Sequence, residues 1–175
     1  MTAAEESPAM IDDFITPLNL RPDVDDHHCF GCGALNQHGL HLALLADPQG
    51  DGVIARYTPP AHAEGYPGMV HGGIITTMLD EVMAWSLYRH GIWAVTGELT
   101  TRYRRPVPIG EPLLARGWIV RDRGRVIEVA GEIRSDPQDD LLAEGMSRFV
   151  RVPAAQAKAW HDRYGGIAPA SGGLP

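Results

Sequence analysis

The chain has 175 residues, of which 44% are hydrophobic and 21% are charged, so it can form one domain with a sizeable core. Its net charge of −7 argues against a nucleic-acid partner, because contacts to phosphates need a basic surface. No run approaches the ~20 apolar residues of a membrane span, and no signal peptide is visible, so we expect a cytoplasmic protein.

The first elements in chain order are an arm and two strands. Residues 1–26 are acidic and contain three prolines, which predicts a loosely ordered arm with a short helix near residues 12–15. Apolar residues then alternate over 40–44, as in a half-buried strand. A turn at 47–50 leads to a second strand over 53–57.

One long helix is predicted over residues 73–90, with Gly91 ending it. Its apolar residues cover most of the circumference; they are Ile75, Met78, Leu79, Val82, Trp85 and Leu87. A helix that is apolar on most sides is buried, so we expect it in the core.

Four strands follow, over 95–103, 113–120, 126–133 and 141–152. In the first of them the alternation places Val95 and Leu99 on one face and Thr96 on the other. The short turns along this run favour an antiparallel meander, since parallel strands need long crossovers.

A single sheet can bury a single long helix only by curling around it. The expected fold class is therefore α+β, a hot-dog fold in which an antiparallel curled sheet wraps one central helix. The hot-dog domain is assigned to residues 27–152, with a short helix over 153–160 and a disordered tail in the C-terminal segment 153–175. The uncovered face and edge of the sheet predict a homodimer or a dimer of dimers.

The most informative motif opens the long helix, where His71, Gly72 and Gly73 precede it and Asp80 lies about two turns further in. A helix N-terminus presents unpaired N–H groups at the positive end of the macrodipole. Glycines let a carbonyl approach those groups, and a nearby carboxylate can activate water against that carbonyl. The pattern indicates acyl transfer to water.

The same segment closely resembles the signature of the PaaI-like hot-dog-fold acyl-CoA thioesterases; over residues 65–81 it reads GYPGMVHGGIITTMLDE. Thr96 and the run from Tyr103 to Pro106 stand where that family has a polar residue and a Tyr-x-x-Pro strand end. The opening CFGCG over residues 29–33 is similar to one branch of the family. The resemblance covers about residues 29–152.

The resemblance implies a role for each matching residue. Asp80 would be the general base or the nucleophile, and Gly72, with Gly73, would supply the oxyanion N–H. His71 would orient the thioester, and Thr96 would help hold the attacking water. In one respect the chain departs from the family: some relatives carry an Asn six residues before the histidine, where this chain has Gly65 beside Glu64.

Two arginine clusters are candidates for binding the phosphates of coenzyme A: Arg104 and Arg105 with Arg102, and Arg123 and Arg125 with Arg121. We expect them at opposite ends of a strand pair, and a two-fold pairing of the 95–103 strands would bring one cluster towards the partner's other cluster.

Other polar and aromatic residues have a structural interpretation first. Glu81 points about 100° away from Asp80 and is expected to meet an arginine or the rim of the site. Trp85, Tyr88 and Trp93 are expected to be core residues that can also line an acyl pocket.

Cys29 and Cys32 invite a zinc or a redox interpretation. Zinc usually takes four ligands and the chain has no second cysteine pair, while a redox Cys-x-x-Cys normally opens a helix. We interpret them as structural thiols in a glycine-rich turn, and we predict no metal site and no cofactor.

The sequence therefore predicts an acyl-CoA thioester hydrolase whose partner is its acyl-CoA substrate. Two alternatives stay open, a non-catalytic acyl-CoA sensor with the same fold and a hot-dog enoyl-CoA hydratase.

Overall fold

The structure is a computed structural model that describes Leu18 and residues 26–165. Six strands and two α-helices follow one another, together with a short 3-10 turn over Ala61–Ala63; they are β1 (Ala43–Ala46), β2 (Val53–Tyr57), α1 (Gly72–Arg89), β3 (Ala94–Tyr103), β4 (Leu113–Asp122), β5 (Val126–Ser135), β6 (Leu141–Arg151) and α2 (Ala154–Tyr164). The strands form one antiparallel sheet in the order β1-β2-β4-β5-β6-β3.

The long helix lies in the core, as its apolar circumference predicts. Met78, Leu79, Val82 and Met83 of α1 are fully buried. Strands β1 to β6 all contact this helix, so the sheet curls around it. The α+β hot-dog fold predicted from the sequence is thereby confirmed.

A row of glycines in the sheet lets the helix approach closely. Gly117, Gly131 and Gly145 stand opposite one another on β4, β5 and β6. A Cβ atom at Gly117 would lie only 2.4 Å from the Val82 carbonyl oxygen, so only glycine fits there. The helix therefore rests directly on the backbone of the sheet.

The predicted four-strand meander holds for β4, β5 and β6 but is wrong for β3, which pairs with β6. The reason is the connection from β3 to β4, which runs over residues 104–112 and contains three prolines. It is too long for a hairpin turn and carries the chain across the end of the sheet. Strand β3 thus becomes an edge strand.

Some element ends also differ from expectation. The first strand begins at Ala43, because the N–H groups of Leu40 and Leu42 donate to the carbonyls of Phe30 and Gly31 instead of to a strand. The predicted C-terminal helix is present and extends to Tyr164. No helix in the described part of the chain combines the length and apolarity needed to cross a bilayer.

Most of the predicted N-terminal arm, including the helix near residues 12–15, and the tail over 166–175 lie outside the described residues. The exception is Leu18, which is buried and donates its N–H to the Leu44 carbonyl at 2.8 Å. This part of the arm therefore covers the free edge of β1.

Candidate active site

The start of α1 presents one N–H group towards solvent. His71 is the N-cap, and its Nδ1 accepts the Gly73 N–H at 3.0 Å. Gly72 is the first helical residue, and its N–H has no acceptor within the described residues, as expected at this position. The Tyr103 hydroxyl donates to the Gly72 carbonyl at 3.0 Å and holds the turn in place. Of the two glycines, Gly72 is thus the one with a free donor.

The carboxyl group of Asp80 lies two turns further along, half-buried, where Thr96 Oγ1 donates to its Oδ1 at 2.7 Å. Burial raises the pKa of Asp80 above its ordinary value, and the Thr96 hydrogen bond opposes part of that rise. The result is a carboxylate more basic than an exposed aspartate, held in one orientation by a neighbouring strand.

Thr96 reaches Asp80 because β3 is irregular at this point. The register against β6 shifts between Thr96 and Glu98, which is a β-bulge around Gly97. A bulge moves the residues beyond it to the opposite face and is a common device for re-aiming a side chain. Thr96 therefore faces the helix together with Leu99, and the face predicted from simple alternation is wrong for it.

Asp80 and Thr96 line a cavity of about 500 Å³ with a largely aromatic wall. Trp85, Tyr88, Trp93 and Trp160 form a chain of ring contacts with centroid separations of 5.9, 5.2 and 6.1 Å. Trp85, Tyr88 and Trp93 pack against one another and also line the cavity, as predicted for core residues that can line an acyl pocket. They place an apolar surface beside Asp80. Trp160 comes from α2, and nothing in the sequence signalled its approach to this cavity.

Within one chain the two halves of the predicted site are separate. His71, Gly72 and Gly73 line a second groove together with Tyr103, Arg104 and Arg105, and Asp80 is not part of that groove. Eight residues of helix separate Gly72 from Asp80, a rise of about 12 Å. One protomer therefore cannot present both groups to the same carbonyl carbon.

The arginine clusters lie at opposite ends of the sheet, not at the ends of one strand pair as predicted, because β3 and β4 are not neighbours. Three of the four candidate arginines form ion pairs, Arg104 with Glu144 at 2.5 Å, Arg105 with Asp140 at 2.6 Å and Arg123 with Glu128 at 3.1 Å. Arg125 is exposed and makes no ion pair with any described residue. Their positive charge is therefore partly balanced in the free protein.

Glu81 does not meet an arginine or the rim, so that expectation is wrong. Its Oε1 accepts the Trp85 indole N–H at 2.9 Å, and Cys29 Sγ lies 3.5 Å from its Oε2. Burial, with the adjacent Cys29 charge, raises the pKa of Glu81 to about 7. No local sequence pattern could predict this contact, because Cys29 and Glu81 are 52 residues apart.

The segment before His71 has a structural role in this chain. Glu64 Oε1 accepts the Gly68 N–H at 2.6 Å and closes the turn. A Cβ atom at Gly65 would lie 2.9 Å from His71 Cα, so the backbone packs tightly at this position. Neither residue provides a further polar group towards Asp80.

Cys29 and Cys32 are free thiols on the wall of the Asp80 cavity. A hydrogen bond from the Cys32 thiol, reinforced by backbone N–H groups, lowers the pKa of Cys29 to about 5. The same contact, with burial, raises the pKa of Cys32.

Residues 67–141 match the family model described as Thioesterase superfamily. The acyl-coenzyme A thioesterase THEM4 of Xenopus laevis is 30% identical over 101 residues, which cover 57% of this chain and 45% of that protein. The chain spans about half the length of the curated relatives it matches.

Solved structures agree with this match. A crystal structure of a thioesterase superfamily protein superposes with a TM-score of 0.67 at 31% identity, covering 71% of this chain and 60% of that one. The E. coli PaaI protein superposes with a TM-score of 0.59 at 20% identity, covering 64% of this chain and 84% of its own. Residues 67–141 therefore match the thioesterase superfamily, as the resemblance implied, and the solved structures share the hot-dog fold of this chain.

Proposed function

We propose that this protein hydrolyses an acyl-CoA thioester to the free acid and coenzyme A, in a site built across a homodimer. The observation that carries the proposal is the Asp80–Thr96 pair, a basic carboxylate oriented at 2.7 Å on the wall of an aromatic cavity. A general base needs a raised pKa, a fixed orientation and a nearby apolar space for substrate.

The dimer supplies the second half of the site. Strand β3 is an edge strand with exposed apolar residues, Val95 and Tyr103 being 47% and 54% exposed. Thr96 holds Asp80 near one end of β3, and Tyr103 holds Gly72 near the other end. A two-fold antiparallel pairing of β3 with its copy, centred near Leu99, would place Asp80 beside the partner's Gly72.

In this arrangement the partner's Gly72 N–H polarises the thioester carbonyl, and His71 maintains the helix start and orients the thioester. The Asp80 carboxylate takes a proton from water as the water oxygen bonds to the carbonyl carbon; Thr96 positions the carboxylate and the water. The tetrahedral oxyanion then collapses, the C–S bond breaks, and Asp80 returns the proton to the leaving thiolate. Direct attack by Asp80, with hydrolysis of the resulting anhydride, uses the same geometry.

The arginines would bind the phosphates of coenzyme A. Arg104 and Arg105 line the same groove as Gly72, and the two-fold pairing brings the Arg123 and Arg125 of the partner from the opposite end. Guanidinium groups suit phosphate because they donate in a planar fork. The present ion pairs would exchange their carboxylates for phosphate oxygens.

The test is the release of free thiol from aromatic, short-chain and long-chain acyl-CoA thioesters, with Asp80→Asn as the decisive variant. Loss of the general base is expected to lower kcat about 10²- to 10⁴-fold. Because Asn still accepts the Thr96 hydrogen bond, the variant keeps the geometry. The variant also avoids burying a charge. Because the pKa of Asp80 is raised in the folded state, the fold loses stability as pH rises through that pKa. Thermal unfolding of Asp80→Asn at neutral pH should therefore be no easier than that of the wild type.

Glu111→Gln, an exposed carboxyl-to-amide change, is the matched control and should retain full activity. Thiol release that persists in Asp80→Asn would refute the proposal. Acyl-CoA binding with no thiol release would favour a sensor, and a change in enoyl absorbance without thiol release would favour a hydratase. The cytoplasmic location and any pairing of dimers stay predictions.

A further inference from the structure

The turn over residues 27–33 gathers three metal-ligating side chains that the proposed hydrolysis does not use. The ligand atoms of His27, Cys29 and Cys32 all lie within 4.8 Å of one another. The backbone fixes the turn, because the Gly33 N–H donates to the Cys29 carbonyl at 2.9 Å and the Leu35 N–H to the His27 carbonyl at 3.3 Å. All three side chains are half-buried.

A fourth donor approaches from the long helix. The two carboxylate oxygens of Glu81 lie 3.5 and 3.7 Å from Cys29 Sγ. The Trp85 indole N–H orients this carboxylate at 2.9 Å and lies 3.4 Å from Cys32 Sγ. In the part of the chain that the structure describes, no lysine or arginine pairs with Glu81. A fourth electron-pair donor thus lies beside Cys29, at the edge of the cluster of three.

The two glycines of the turn are needed for different contacts. A Cβ atom at Gly31 would lie 2.2 Å from Glu81 Oε2, and one at Gly33 would lie 2.4 Å from the Cys29 backbone nitrogen. A side chain at Gly31 would therefore displace the Glu81 carboxylate, and one at Gly33 would distort the turn itself. The CFGCG pattern is therefore what allows the thiols to reach the carboxylate.

Two of the donor separations are close to those of a tetrahedral zinc site. Zn–S bonds of about 2.3 Å and Zn–N or Zn–O bonds of about 2.1 Å place tetrahedral ligand atoms roughly 3.6 Å apart. His27 Nε2 lies 3.4 Å from Cys32 Sγ, and Glu81 Oε2 lies 3.5 Å from Cys29 Sγ. Two thiolates, an imidazole and one carboxylate form a ligand set that suits zinc better than magnesium or calcium.

We propose that His27, Cys29 and Cys32 bind one Zn²⁺ ion, with the Glu81 carboxylate as the fourth ligand, and that this ion fastens the 27–33 turn to α1. The sequence favoured structural thiols over zinc because the chain has no second cysteine pair, but here the fourth ligand comes from a helix residue 52 positions after Cys29. The proposal does not depend on the hydrolase activity. The site forms part of the wall of the Asp80 cavity, so the ion would stabilise that wall without contacting the reacting atoms.

The experiment measures metal in the full chain, purified without a polyhistidine tag under reducing conditions. Elemental analysis should find about one zinc per chain. After removal of the metal, titration with Co²⁺ should give a saturable visible spectrum of tetrahedral cobalt together with a thiolate charge-transfer band. Cys32→Ser should lose most of that band. Glu81→Gln removes a direct ligand, so it should weaken Zn²⁺ affinity by at least the roughly 10- to 100-fold that loss of an outer-shell partner causes.

Neighbouring histidines provide the matched control. His27→Ala should abolish stoichiometric zinc, whereas His28→Ala, which removes the exposed adjacent imidazole, should retain it. Asp80→Asn should also retain zinc while losing hydrolysis, so a failure of this proposal can be told apart from a failure of the proposed function. The cobalt spectrum of the wild type keeps the test valid even if a variant misfolds.

Zinc far below one equivalent with no saturable Co²⁺ spectrum would overturn the proposal. Equal metal loss in His27→Ala and His28→Ala would do the same, because it would place the binding elsewhere. A Cys29–Cys32 disulfide in the freshly purified, metal-free chain would show that the pair is a redox couple.

Discussion

The start and the middle of helix α1 use opposite means to present reactive groups. At the start, Gly72 offers a backbone N–H from an exposed turn, held by the His71 cap and the Tyr103 hydroxyl. In the middle, Asp80 and Glu81 offer carboxyl groups whose pKa values are raised by burial. Residues only eight positions apart thus line different cavities. The comparison teaches that a motif continuous in sequence can describe two half-sites, which meet only between subunits in the dimer that we propose.

After Asp80→Asn, the largest effect is expected from removing the donor at the helix start. Gly72→Pro deletes the N–H while suiting the first helical position, where proline is favoured. His71 before it already has the extended backbone (φ −60°, ψ 134°) that a following proline requires. Loss of one oxyanion donor should lower kcat about 10²- to 10³-fold, measured as thiol release from acyl-CoA.

Gly72→Ala is its matched control, since it keeps the N–H. Its Cβ atom would lie 3.3 Å from the Tyr103 hydroxyl oxygen, a contact that a small shift of the ring relieves. Equal losses of kcat in Gly72→Pro and Gly72→Ala would mean that packing, not the donor, matters at this end of the helix.

A smaller effect is expected at the middle of the helix from Thr96→Val. Removing the hydroxyl removes the hydrogen bond that lowers the pKa of Asp80, so this pKa should rise further. A general base works as the carboxylate; the acidic limb of the kcat/KM profile should therefore move to higher pH, with a loss of activity that is largest in acid.

Thr96→Ser should restore the wild-type profile because it restores the donor. A pH profile that does not move in Thr96→Val would contradict the role of this hydroxyl in tuning Asp80, even if the activity fell at every pH.

The smallest effect concerns the surface charges. Arg104→Glu or Arg123→Glu should raise KM for acyl-CoA by several-fold while leaving KM for a short thioester without the nucleotide nearly unchanged. Surface charges contribute about 0.2–1 kcal/mol each, which limits the size of the change. Arg56→Glu, which alters another ion-paired surface arginine at the far side of the sheet, serves as control. Equal changes of KM on both substrates would exclude a phosphate-binding role.

The sequence predicts the fold well because the buried helix and the strands leave strong periodic signals. Residues 73–90 are apolar on most sides, and the structure buries that segment within one residue of the predicted ends. The place of β3 was missed because strand order depends on where the proline-containing connection over 104–112 leads, which no local pattern reports. The bulge in β3 was missed because the residues around Gly97 alternate as in a regular strand. Gly97 was therefore taken as an ordinary position in that strand.

The residues of the candidate site also fall into those that the sequence predicts and those that it does not. His71, Gly72 and Asp80 could be named from spacing because a helix fixes their relative positions along its axis. The contact of Glu81 with Cys29 and the approach of Trp160 to the aromatic cavity could not, because they join elements distant in sequence. Contacts of that kind depend on how distant elements pack together in the folded chain, and local sequence patterns do not report that packing.

The row of glycines under α1 has a consequence for how such a protein can vary. Because Gly117 packs directly against the Val82 carbonyl, no layer of side chains separates α1 from the sheet at this point, and the helix cannot shift or rotate there. Direct contact between the two backbones sets the depth and rotation of α1, and this fixes the position of the Asp80 carboxyl group two residues before Val82. Changes of substrate preference are therefore expected to accumulate in the aromatic wall of the Asp80 cavity and in the proposed β3 contact between subunits. Side chains at both places can be exchanged without moving α1.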